Sequence, residues 1–147
     1  MVDENPSQYP DWQRLKNRSI VRKHAGDIVG AIEDMNKAIE LAKGNSALAS
    51  RTSIMLNYLA DLCLTAGFVD RAESAIKDAL DLSRDSYPIL HADNLLIEAA
   101  VLNEKGRHQE AMASAQEALS LYREWYGHFP DRVSQVENQV QHLASFQ

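Results

Sequence analysis

The sequence predicts an all-α fold of helical hairpins stacked side by side. Composition is the first sign: Ala, Leu, Glu and Gln dominate over Val and Ile, and 147 residues hold only six Gly and four Pro. The second is a repeat. The segments GDIVGAIEDMNKAIEL from Gly26, GFVDRAESAIKDALDL from Gly67 and GRHQEAMASAQEALSL from Gly106 align without gaps, 41 and 39 residues apart. The third is what repeats, a stripe of small residues that a self-sufficient core helix would not carry.

Five residues after each Gly stands Ala31, Ala72 or Ala111. Nine after it stands Met35, Ile76 or Ala115, and twelve after it Ala38, Ala79 or Ala118. Steps of three and four return to one helix face. Small residues there let a second helix approach closely, and a Gly before them suits a tight turn. The second helix precedes the Gly. In SRTSIMLNYLADLCLTAG and PILHADNLLIEAAVLNEKG, Leu56, Ala60 and Cys63 match Leu95, Ala99 and Leu102 in register. Each unit is a hairpin that buries its apolar face only by stacking.

The order Leu–x₃–Ala–x₆–Gly–x₄–Ala–x₃–apolar–x₂–Ala resembles the tetratricopeptide repeat (TPR). Most such repeats have about 34 residues. The 39–42-residue spacing and the phrase ALSLYREWYGHFP are similar to the long-helix variety of kinesin light chains and many bacterial proteins. The resemblance covers about residues 11–145. It implies a right-handed superhelix, a TPR-like α-solenoid of about three repeats plus a C-terminal capping helix. The first helix of each unit then lines the concave face, with Lys16, Asn17 and Ile20, then Ile54, Asn57, Tyr58, Asp61 and Leu64, then Asp93, Leu96, Ile97, Ala100 and Asn103. Some members grip a C-terminal carboxylate with Lys, Asn and Arg in this groove. Here only Lys16 matches. Ile20 and Tyr58 replace Asn residues, and Asp93 and Ile97 replace the last Lys and Arg.

Helices are expected at about 11–24, 27–43, 47–66, 69–84, 88–105, 108–126 and 131–145, in one domain over 11–147. Pro88 and Pro130 suit first turns, where a missing N–H is harmless. The last helix carries Val133, Val136, Val140 and Leu143 on one side, as a cap should. Residues 1–10 read as a loose tail. The first helix fits worst, because Arg18 and Arg22 fall where Leu59 and Cys63 stand in the second unit. Either it is rotated to bury Trp12, Leu15 and Val21, or it is a degenerate end repeat.

The net charge is −6, with +4 concentrated in residues 11–25 and −8 in residues 26–147. The acidic bulk argues against nucleic acid. Arg14, Arg18 and Arg22 form a basic stripe at i, i+4, i+8. It is either a cationic patch for an acidic partner or a solvated face paired with acidic neighbours. The histidines form no metal motif, Cys63 sits on an apolar stripe as an inert thiol, and no catalytic or cofactor motif is present. One cysteine fits a reducing compartment. No signal-peptide pattern and no apolar run of roughly 20 residues occurs, so no membrane partner is expected. These features point to a cytoplasmic, non-enzymatic interaction module without cofactors. Its protein or peptide partner would meet Asn57, Tyr58, Asp61, Leu64, Leu96, Ile97 and Asn103. The alternative is a structural subunit that forms a homo-oligomer through its groove or end helices.

Overall fold

A computed structural model describes residues 9–85, 87–127 and 130–145. Seven α-helices occur among them: α1 (Asp11–His24), α2 (Ile28–Ala42), α3 (Ala49–Ala66), α4 (Val69–Ser83), α5 (Pro88–Glu104), α6 (His108–Tyr126) and α7 (Pro130–Ala144). A 3₁₀ turn at Ser46–Leu48 precedes α3. The hairpins α1–α2, α3–α4 and α5–α6 pack most closely, and α2–α3, α4–α5 and α6–α7 join them in sequence. The result is a TPR-like α-solenoid of three hairpins closed by α7. The tail expected at 1–10 lies outside the described residues, apart from Tyr9 and Pro10.

Each hairpin turns in the same way. Gly67 and Gly106 adopt φ of +83° and +77°, which a side chain would resist. The Phe68 N–H then donates to the Cys63 carbonyl at 2.8 Å, and the Arg107 N–H to Leu102 at 2.9 Å. Orphan carbonyls at the helix end are thereby satisfied. Beyond the turn, Ala31, Ala72 and Ala111 are wholly buried, as are Ala38, Ala79 and Ala118. The missing side-chain bulk is filled by the neighbouring helix.

The first helix keeps the repeat register. Ser19, wholly buried, takes the place of Ala60 and Ala99, and its hydroxyl donates to the Ala31 carbonyl at 2.6 Å. The rotated arrangement is excluded by Val21, which is 67% exposed, although Trp12 and Leu15 do pack on the core. Arg18 is tolerated at the Leu59 position because its partner changed as well. Asp34, 1% exposed, stands on α2 where Ala75 and Ser114 stand on α4 and α6. In α7, Val136 and Leu143 are buried, and Val133 and Val140 pack at the edge of the core.

Candidate functional site

The residues singled out for partner binding lie on α3 and α5, which touch each other directly. They divide into three groups. Tyr58 and Asp61 meet Lys23 of the preceding hairpin. The Lys23 ammonium stands 5.1 Å from the Tyr58 ring centroid and 3.5 Å from the Asp61 carboxylate. One cation thus spans the first two units, with its charge shared between an aromatic face and an acid. Both partners remain half-buried, so the ring edge is still accessible.

Asn57 faces inward to a buried polar network. Its amide donates to Asn94 Oδ1 at 2.9 Å. Asn94 is fully buried, and its own amide donates to the hydroxyls of Ser53 and Ser83 at 3.0 Å each. The Ser53 hydroxyl passes its proton's bond to the Ala79 carbonyl, and Ser83 meets His91 Nδ1 at 2.9 Å. Every polar atom named here has a partner, which is the condition for burying amides and hydroxyls without a penalty. The network ties α3, α4 and α5 together.

The third group builds a cavity. Leu64, Leu96, Ala99, Ala100 and Leu143 form its apolar floor, and Asn103, Glu104, Asn138, Gln139 and His142 its rim. It is an open pocket of about 500 Å³, lined by α3, α5 and the capping helix. The size and the mixture of an apolar floor with a few polar groups fit a binding pocket. Asn103 also meets the His108 ring at 2.5 Å, which fixes the orientation of its amide. Ile97 packs partly against the main core beside this cavity.

The basic stripe is paired within the chain. Arg18 holds Asp34 through two bonds of 2.8 Å, and Arg22 lies 3.3 Å from the same carboxylate and 3.9 Å from Asp27. Arg14 bonds Asp11. The Arg18 hydrogen bond outweighs desolvation and holds the Asp34 carboxyl below its ordinary range. Burial pushes the Cys63 thiol above its ordinary value, which suppresses the reactive thiolate.

Reading the sequence missed Lys23 as a bridge and the α7 amides as part of the site. The polar positions of α7 read as a wet outer face. Asn138, Gln139 and His142 are indeed exposed, and they also line the rim of the cavity. Among the described residues no helix is long and apolar enough to cross a membrane.

No family model and no curated protein matches this chain. Among solved structures, the crystal structure of the apo form of RapI is similar with a TM-score of 0.83 over 95% of this chain, at 14% identity. The chain spans about half the length of that protein, 52%. At this identity the likeness is one of fold, and it agrees with the helical-repeat architecture seen here.

Proposed function

We propose that this chain is a non-catalytic protein–protein interaction module of the long-helix TPR variety, similar to kinesin light chains and bacterial TPR proteins. It holds a peptide or partner surface in the concave groove formed by α1, α3, α5 and α7. The observation that carries this reading is the cavity of about 500 Å³ over Leu64, Leu96 and Ala100. Its floor suits an apolar side chain, and the amides of Asn103, Asn138 and Gln139 suit the peptide backbone beside it. Tyr58 and Asp61 extend the contact toward the first unit. The net charge of −6 and the single cysteine favour a cytoplasmic protein ligand over nucleic acid.

The test starts from peptides selected on the full chain from a random display library. Ala100 is exposed at the cavity mouth. Ala100→Trp should fill the cavity and weaken the selected peptides at least tenfold, with an unchanged melting temperature. Calorimetry showing equal affinity would move the site elsewhere.

A second reading, assembly into a homo-oligomer, is favoured by Val21. It is 67% exposed, whereas its register counterparts Leu62 and Val101 are 0% and 1% exposed. Leu41, on the other helix of the same hairpin, is also exposed. If another copy covers this face, light scattering will show an oligomer that Val21→Lys dissociates.

A further inference from the structure

The open pocket over Leu64, Leu96 and Ala100 carries a negative charge without a counter-charge. Its floor is reached from solvent, since Leu64 and Leu96 are half-buried and Ala100 is exposed. Among the described residues no lysine or arginine lines it, and Glu104 is its one carboxylate. Glu104 is exposed and has no ion pair or hydrogen bond among the described residues. Lys105, next in sequence, pairs with Asp70 and Glu73 instead. Asp61, on α3 one turn before Leu64, is already held by Lys23.

The backbone adds to this charge. The lining residues come from the ends of three helices. Leu64 lies in the last turn of α3, which ends at Ala66. Asn103 and Glu104 close α5, and His142 and Leu143 stand in the last turn of α7, which ends at Ala144. A helix C-terminus carries about half a unit of negative charge, felt within its last turn. Three such ends meet around one apolar floor, with the Glu104 carboxylate beside them. The −8 carried by residues 26–147 draws cations toward the same side of the molecule's charge balance.

Such a place accepts a hydrocarbon group and a cation side by side and disfavours an anion. We propose that the peptide held here is cationic: a large apolar side chain fills the pocket, and a Lys or Arg next to it pairs with Glu104. The inference rests on the peptide-groove reading and names the chemistry of its ligand. The amides of Asn103, Asn138 and Gln139 remain for the peptide backbone.

The test pans one random peptide display library in parallel on the full native chain, on Glu104→Gln and on Glu104→Lys. Glu104 is exposed and unpaired, so both variants should melt with the native chain. Peptides selected on the native chain should be enriched in Lys or Arg beside Leu, Ile, Met or Phe. Those selected on Glu104→Lys should lose that enrichment in favour of Asp or Glu. In calorimetry a native-selected peptide should weaken about threefold on Glu104→Gln and about tenfold on Glu104→Lys, the scale of one exposed ion pair lost and then reversed. The proposal is overturned if peptides blocked by Ala100→Trp show no cationic preference, or bind Glu104→Lys as tightly as the native chain. The groove would then still hold a peptide, but not by charge. Peptides indifferent to Ala100→Trp would instead sink the groove reading, and this inference with it.

Discussion

Arg18 and Asp34 form the same cross-helix pair that Leu59 and Ala75 form in the second unit and Glu98 and Ser114 in the third. In the first it is a fork of two 2.8 Å hydrogen bonds. In the second both residues are buried and apolar. In the third the Ser114 hydroxyl donates to the Glu98 carboxylate at 2.7 Å. One position in the repeat thus accepts an ion pair, a hydrocarbon contact or a hydrogen bond, provided that both helices change together.

That covariation can be tested within the chain. Arg18→Leu alone leaves Asp34 buried with Arg22 and Lys37 as its remaining cationic neighbours, and should lower the stability measurably, less than for a fully buried pair because Arg18 is half exposed. Adding Asp34→Ala recreates the Leu59–Ala75 contact and should recover most of the loss. A double-mutant cycle from urea melts measures the coupling. Additive losses would show that the two residues act separately.

The same pair predicts an acid dependence. Asp34 titrates lower in the folded chain than in the unfolded one, chiefly through its hydrogen bond to Arg18. Glu73 is lowered likewise by its bond to Lys105. On acidification the unfolded chain therefore takes up protons first. The stabilisation is complete above the ordinary carboxylate range, about pH 4, and is lost as the pH falls through the lower folded values. Melting temperatures between about pH 2 and pH 6 should fall less steeply in the Arg18→Leu, Asp34→Ala double variant than in the native chain.

Ala72 and Ala111 have no exposed surface. Ala72→Leu and Ala111→Leu should each force their hairpin apart and destabilise by about 1–3 kcal/mol. Thermal melts that show no loss for either would contradict the role of these alanines as docking points.

Asn57 and Tyr58 are adjacent, yet their substitution should have opposite consequences. Asn57→Ala removes a donor to buried Asn94 and should cost about 1 kcal/mol of stability. Asn94→Ala unbinds three neighbours at once and should cost about 2–3 kcal/mol. Tyr58→Ala should change stability little but weaken a groove-bound peptide tenfold or more. Melts compared with peptide titrations separate the two kinds of residue.

Deleting residues 131–147 should uncover the apolar face that Val136 and Leu143 now cover beside Ala99, Leu102, Ala111 and Ala115. The truncated chain should aggregate. A soluble, monomeric and equally stable product would show that α7 does not act as a cap.

The sequence alone determined the hairpins, their order and their register. Helix burial demands small or apolar residues at intervals of three and four, so Ala72, Ala111 and their counterparts were visible as a local period. Gly67 and Gly106 marked the turns for an equally local reason. Tertiary structure decided what each polar side chain does. Arg18 finds Asp34 16 residues away, Asn57 finds Asn94 37 residues away, and Lys23 reaches both Tyr58 and Asp61 across a hairpin boundary. Such pairings depend on how one hairpin rotates onto the next, which no periodicity records. The cavity over Leu96 has the same origin, since its far wall is α7.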